Sequence, residues 1–299
     1  VIDNSGKRLA RQSDAARFGA KILEQPRNTG FGAAINLAFQ HSRAPLLATL
    51  NDDAVAAPGW IGAMLAAAES APEAGMFASQ VRLGGPDRID SAGMLISGDG
   101  SSKQRGHLEP PDRFAERSEA LFPSGSAAFY RRTMLEEIGL FDEDFFLYCE
   151  DTDLGLRARW AGWKCLYVPE AIVEHRYSQT AGRASALKAY HVERNRLYVL
   201  LKNFPARMLV RAPAATLSRY FWHAAWAVEN RGIAAQFRQT HGALALAFIV
   251  ARAHCSALFR AIPLWRKRRQ VRRTAKLSAA EFQRLLEQHW ITPRQVAAL

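Results

Sequence analysis

The chain has 299 residues, 48% of them apolar and 23% charged, with a formal net charge of +12. It is long enough for one large domain or two modest ones with a proper core. Three cysteines, Cys149, Cys165 and Cys255, an odd number without zinc-like spacing, argue against a disulfide framework and point to a reducing, cytosolic setting. The longest apolar run, residues 243–251, closes at Arg252 and is too short for a membrane span, which needs about 20 residues.

The charge is uneven. Residues 201–299 hold 17 Lys and Arg against three acids, Glu229, Glu281 and Glu287, while the preceding part holds 23 basic and 25 acidic residues. A balanced globular part, residues 1–205, is thus followed by a basic one, residues 206–299.

Val1-Ile2-Asp3 reads as the end of a buried strand, followed by a polar turn, Asn4-Ser5-Gly6. One strand and one helix are therefore expected to be missing upstream, since a βαβ unit takes about 30 residues. Residues 7–17 read as a short helix and 20–24 as a short strand. Asn28-Thr29-Gly30-Phe31-Gly32 is a glycine-bearing loop before a helix at 33–41. Residues 46–50 are a continuous apolar run, as in a strand covered on both faces. A helix at 58–70 and a strand at 74–81 follow. Residues 84–123 read as loops with small strands. Beyond them come a strand at 127–130, a helix at 132–138 ended by Gly139, a helix at 151–161 ended by Gly162, and a strand at 164–168 stopped by Pro169. Residues 184–202 form a long helix. After Pro205 the pattern is helical, basic and aromatic. The alternation of strands and helices predicts an α/β fold with a parallel sheet.

Four segments carry candidate chemistry. Asn51-Asp52-Asp53 follows the strand at 46–50, at the sheet edge where open α/β folds bind ligands. Adjacent carboxylates there suit a hard divalent cation and a diphosphate; the alternative is a plain polar turn. Asp142 to Asp153 interleaves acids with Phe145, Phe146 and Tyr148. Glu150, Asp151 and Asp153 also suit a helix start, where the dipole favours acids. That does not account for Asp142 and Asp144 beside aromatic rings, where a carboxylate pays desolvation. A carboxylate with its pKa raised there makes a general base. Val173-Glu174-His175 adds an imidazole, structural or metal-ligating. Asp3, at a strand end, is placed to bond a nucleobase or ribose.

In order, these segments resemble family 2 glycosyltransferases of the GT-A fold, in particular rhamnosyltransferase-like members. The resemblance runs from Val1 to about Pro205. It rests on Val1-Ile2-Asp3-Asn4-Ser5, Asn28-Thr29-Gly30-Phe31-Gly32 with Asn36, Leu50-Asn51-Asp52-Asp53, Ser124-Gly125-Ser126-Ala127, Gly139-Leu140-Phe141-Asp142-Glu143, Glu150-Asp151-Thr152-Asp153-Leu154, Ala161-Gly162-Trp163, and Val168-Pro169-Glu170-Ala171 with His175; Arg194-Asn195-Arg196 fits it too. It implies a Rossmann-like α/β fold with a mostly parallel sheet, flanking helices and a C-terminal helical region, the first strand and helix being absent. It implies an inverting transfer from a nucleotide-diphosphate sugar, with a rhamnosyl donor as the family-level lean, to a glycan or lipid-linked glycan. Asp151 is the implied base. Asp53 and His175 are the implied ligands of a divalent cation, Mg2+ or Mn2+. Asp3, Asn28, Gly30, Asp52 and Glu150 are the implied contacts to the nucleotide sugar. Asn51 stands where many members have Asp. The rival readings are an inactive binding module lacking its first strand, and a nucleotidyltransferase, against which the Glu150-Asp151 series speaks.

In the basic part, Tyr220-Phe221-Trp222, Trp226, Trp265 and Arg266-Lys267-Arg268-Arg269 with Arg272 and Arg273 read as a membrane-surface module, with aromatics at the headgroups and cations on anionic lipid. The alternatives are solvated helices packed on the catalytic part, or phosphate contacts to nucleic acid. The membrane reading places the chain on the cytoplasmic face of the cell membrane, with no nucleic-acid partner.

Overall fold

The computed structural model describes residues 1–84, 87–176, 185–230 and 232–298. A strand and a helix open the fold. β1 (Ile2–Asp3) pairs in parallel with β2 (Leu23–Glu24), and between them lie a 3-10 turn, Leu9–Gln12, and helix α1 (Asp14–Arg17). The expectation of a missing first strand and helix is thereby corrected. The apolar Val-Ile start finds backbone partners inside the chain, Leu23 N donating to Val1 O and Gln25 N to Asp3 O, both at 2.9 Å.

α2 (Phe31–Gln40) leads to β3 (Leu46–Leu50), β4 (Ala54–Ala56), α3 (Trp60–Ser70) and β5 (Ala74–Leu83). Four short strands follow, β6 (Ile89–Ser91), β7 (Met94–Ile96), β8 (Ser102–Gln104) and β9 (Ser118–Ala120). Next come β10 (Ala127–Arg131), α4 (Arg132–Ile138), α5 (Glu150–Trp160) and β11 (Lys164–His175). The helical region consists of α6 (Ala186–Asn203), α7 (Ala206–Val228), α8 (Gly232–His241), α9 (Ala243–Phe259), α10 (Ala261–Arg273), α11 (Ala279–Gln288) and α12 (Pro293–Ala298). Residue 184 of the expected long helix lies outside the described residues.

The large sheet has seven strands in the order β3-β10-β5-β11-β4, with β6 on β5 and β9 on β11. It is mixed, which corrects the mostly parallel sheet expected. β10 runs antiparallel to both its neighbours, and β11 antiparallel to β4 and β9; among the described residues β5–β11 is the one parallel pair of this sheet. Apolar runs report that a strand is covered on both faces, but they carry no mark of its direction. Pro169 does not stop β11. The register jumps between Val168 and Ile172, opposite Ser79 and Gln80, so the proline, which has no N–H, sits in a bulge.

Side chains alternate across the sheet. Phe77 and Phe129 face α3, where Trp60 and Met64 are buried; Met76, Ala78 and Tyr130 face a larger core. That core takes in Trp160 of α5, Tyr198 of α6, Met208 of α7, Leu264 of α10 and Phe282 of α11. Trp160 is stacked at 3.8 Å on Phe282, covered by the Arg272 guanidinium at 3.4 Å, and donates Nε1–H to Asn203 O at 2.8 Å. The C-terminal helices therefore complete the hydrophobic core of the sheet. A buried ionic knot also joins α6 to α7. Glu193 accepts from Arg196, Arg219 and Tyr220, and Asp99 accepts from Arg219. Burial alone would raise the Glu193 carboxyl, but the His254 and arginine partners hold it well below the usual carboxylate range.

Candidate active site

β3 ends at Leu50 and the chain turns at once into β4. Ala54 N donates to Asn51 O at 3.1 Å, so Asn51-Asp52-Asp53 is a polar turn in its backbone, whatever its side chains do. Asp52 is exposed. β4 pairs with the end of β11, Ala54 opposite His175, and Arg176 N donates to Asp53 O at 2.8 Å. This pairing sets Asp53 Oδ1 3.2 Å from His175 Nε2. From β6, Asp90 Oδ2 lies 2.8 Å from His175 Nδ1. Burial alone would lower the imidazole's pKa, but the Asp90 and Asp53 carboxylates bring it above its ordinary value.

An Asp–His pair at this spacing is compatible with a direct hydrogen bond and with two ligands of one small cation. Two ligands with bonds of about 2.1 Å at right angles stand about 3 Å apart, close to the Asp53–His175 spacing. A carboxylate on Nδ1 fixes the ring and leaves Nε2 to coordinate. Among the described residues no group of three or more His, Cys, Asp and Glu side chains could hold an ion.

Asp151 stands half-buried in the first turn of α5. Its Oδ2 accepts from Gly125 N at 3.0 Å and its Oδ1 from Thr152 N at 2.6 Å. Beside Gly125, Ser126 O accepts from Asn51 N at 2.9 Å, which ties the Asp151 loop to the turn that carries Asp53. Burial pushes the Asp151 carboxyl up, against those N–H donors. Glu150 is buried too, and its pKa is raised by desolvation and by the charge of Asp151. Its Oε2 has no hydrogen-bond partner among the described residues.

The approach to α5 is strained. Phe146, Tyr148 and Cys149 have φ of 63°, 67° and 66°, a region that non-glycine residues seldom occupy. Donors from outside the loop hold its carbonyls. Asn195 Nδ2 lies 2.9, 2.8 and 2.7 Å from the oxygens of Phe145, Leu147 and Tyr148. Arg194 Nη2 bonds Asp144 O and Phe145 O, and Phe31 N bonds Phe146 O at 2.8 Å. The acids that desolvation left unexplained are also accounted for. Asp142 is bound by Lys202 and Lys267, and Asp144 by Lys267. Burial would raise the Asp142 carboxyl, but the two lysines hold it far below the usual range. Asp153, fully buried, is bound by Arg157, Lys202 and Asn203.

The first loop is held by its own side chains. Asp3 accepts from Ser5 and from Ala10 N at 2.7 Å, and these bonds lower its pKa. Asn28 Oδ1 accepts from Gly30 N at 2.9 Å and from Asn4 Nδ2 at 3.2 Å. Gly30 has φ 90°, and a Cβ there would lie 2.3 Å from Phe146 O. Asn36, on the buried side of α2, exchanges bonds with the backbone of Phe141, at 2.9 Å to O and 3.0 Å from N.

The structure thus brings together Asp53, His175 and, through Gly125 and Ser126, Asp151 with Glu150. Asn28 and Gly30 lie on the loop that meets Phe146, and Asp3 precedes the neighbouring turn, which Asn4 joins to that loop. The sequence does not mark Asp90, Lys202 or the clamping role of Asn195: Arg194-Asn195-Arg196 fits the family without showing what it holds, and Asp90 lies in a short strand that gives no local signal.

Residues 4–199 match the family described as Glycosyltransferase like family 2. Two relatives, from two strains of Mycobacterium tuberculosis, are each an N-acetylglucosaminyl-diphospho-decaprenol L-rhamnosyltransferase. Both are 33% identical over 218 residues, covering 64% of this chain and 71% of theirs. The crystal structure of GalNAc-T7 with UDP, GalNAc and Mn2+ shares the fold at a TM-score of 0.57 and 16% identity, over 73% of this chain. The chain spans 44% of that protein's length. With two-thirds of its length matched by one family and its sheet sharing that fold, this chain belongs to glycosyltransferase-like family 2 and is a sugar-transferring enzyme of the GT-A class.

Proposed function

We propose that the enzyme transfers a sugar, with inversion, from a nucleotide-diphosphate sugar to a glycan or lipid-linked glycan, in the rhamnosyltransferase-like subgroup. The observation that carries this reading is that a facing carboxylate–imidazole pair, Asp53 and His175, and the half-buried carboxylate of Asp151 are tied to one turn, Asp53 standing in it and Asp151 reaching it through Gly125 and Ser126. Asp151 takes the proton of the acceptor hydroxyl. The freed oxygen attacks the anomeric carbon from the face opposite the diphosphate, and the bond to the diphosphate oxygen breaks. Gly125 N and Thr152 N keep the Asp151 carboxylate oriented. Asp53 and His175 would hold a divalent cation, Mg2+ or Mn2+, with Asp90 fixing the imidazole; such an ion supplies positive charge to the leaving diphosphate. Asp52, exposed next to Asp53, would contact the donor, and the unpartnered oxygen of Glu150 would accept from a sugar hydroxyl. Asp3, Asn28 and Gly30 shape the nucleotide cradle by fixing its backbone. The relatives' L-rhamnosyltransferase activity supports a rhamnosyl donor and a lipid-diphosphate acceptor.

The test is a donor screen with the Asp151→Asn and Asp53→Ala variants. Asp151→Asn should abolish transfer and keep metal-dependent nucleotide-diphosphate binding, whereas Asp53→Ala should lose that binding. Near-normal turnover by Asp151→Asn overturns the base assignment.

A further inference from the structure

The helical region presents an apolar face where a helix on a protein core would present a polar one. In α9 the buried positions include Ala253 and Ala257, and this side lies on α6, with His254 against Glu193 and Arg252 over Tyr190 at 4.6 Å. The opposite side carries Leu244, Phe248, Leu258 and Phe259, between 69% and 87% exposed. Their spacing follows the helix repeat, so they form one stripe along a helix about 25 Å long. The stripe passes into α10 at Ile262 and Trp265, 70% and 47% exposed. Beyond it the exposed positions of α10 are Arg266, Arg269, Gln270 and Arg273.

Two features identify what covers this face. The first is charge. The basic run expected at a membrane divides in two: Lys267 binds Asp142 and Asp144, Arg268 bonds Leu201 O and Arg272 covers Trp160, whereas Arg266 and Arg269 point outward. The aromatic run divides likewise. Tyr220 is engaged with Glu193, and Trp222 lies under Arg294 at 4.8 Å, while Phe221 is exposed. The outward remainder is apolar and cationic, in a region with three acids against 17 basic residues. That combination fits anionic headgroups over acyl chains. The second is length. Among the described residues no single helix is long and apolar enough to cross a membrane; α9 and α10 reach that length and hydropathy only as a pair bent by 63°. Because α9 rests on α6 through His254 and Arg252, and α10 through Arg268, the pair offers a bilayer one face, which suits the interface.

We propose that the outward faces of α9 and α10 seat the enzyme on an anionic lipid bilayer, with the α9 stripe at the acyl boundary and Arg266, Arg269 and Arg273 on the phosphates. The inner face of α9 rests on α6, whose Arg194 and Asn195 hold the loop leading to Asp151. A lipid-borne acceptor would thus be brought one helix layer from the base. That use rests on the transferase reading above; the binding does not.

The experiment is co-sedimentation of the full chain with vesicles of phosphatidylcholine alone and mixed with phosphatidylglycerol. The wild type should bind the mixed vesicles, less so at high salt. Phe248→Ser with Phe259→Ser should lower the partition coefficient at least tenfold with an unchanged melting temperature, because both side chains are already in water. Arg266→Gln with Arg269→Gln should weaken binding to the mixed vesicles about tenfold, leave binding to phosphatidylcholine unchanged, and flatten the salt dependence. Leu244→Ser with Ile262→Ser gives an independent apolar test. A wild type that does not bind anionic vesicles overturns the proposal, as do apolar variants that bind like the wild type. So does a wild-type dimer in sedimentation velocity that the apolar variants dissociate while no species binds vesicles. Transfer to a water-soluble acceptor, assayed without vesicles, tests the transferase reading separately.

Discussion

Removing the Asn195 amide should separate the stability of the fold from the geometry of its base. Asn195 is fully buried, and its two N–H groups serve the carbonyls of Phe145, Leu147 and Tyr148. In Asn195→Ala, Phe145 O keeps Arg194, but the other two lose their side-chain donor. A half-buried acceptor left unsatisfied costs about 1–2 kcal/mol, the lower part of the range, so with two of them the intact loop would destabilise the fold by about 2–4 kcal/mol. Each of the three left-handed residues stores about 1–3 kcal/mol more, enough for the loop to relax instead of staying strained. Relaxation would shift the first turn of α5, and a displacement of about 1 Å at a reacting group costs about a hundredfold in rate. The expected result is a loss of about 2–4 kcal/mol in urea unfolding, and a kcat about a hundred times lower with a donor KM changed little. Asn195→Gln, which keeps an amide, should recover part of both. If Asn195→Ala loses stability as expected but keeps its kcat, the clamp is structural only, and the link from α6 to Asp151 is wrong.

Two further outcomes follow from the same geometry. Gly30→Ala would press a Cβ onto Phe146 O at 2.3 Å and hold alanine at φ 90°, so it should weaken donor binding and lower the melting temperature, whereas Ala33→Gly, inside α2, should cost about 1 kcal/mol of stability and leave the donor KM unchanged; an unaltered donor KM in Gly30→Ala would show that this loop does not shape the donor site. The rate should also depend on pH. Burial raises the Asp151 carboxyl, so it loses its proton at higher pH than a free carboxylate, near 3.9, and kcat/KM should rise across an acid limb displaced above that value. Because Glu150 and Asp151 titrate as a pair, the limb belongs to both, and Glu150→Gln should move it; a rate independent of pH down to about 4 would exclude a raised carboxyl as the base.

The candidate chemistry was legible wherever it depends on local order. Asn51-Asp52-Asp53 follows an apolar strand, and Glu150-Asp151 opens a helix, so one-dimensional patterning marks both. Pro169 misled because a proline reads as a strand end, and only the pairing of β11 with β5 shows that the strand continues past a bulge. The acids at 142 and 144 have no local explanation for the same reason, since their lysine partners lie some 60 and 120 positions away in α6 and α10. The basic run at 266–269 has one composition and two fates, because a helix turns successive residues to opposite sides.

By itself, then, the amino-acid order determined which segments are strands and helices and where acids, imidazole and glycines meet their ends, since period, turn chemistry and capping act over a few residues. Tertiary structure decided strand direction, the meeting of Asp53 with His175 and Asp90, the donors that hold the left-handed loop, and which arginines face outward. Those depend on contacts between residues distant in the chain, and the energy that selects them, burial and the pairing of buried charge, exists only once the parts are assembled.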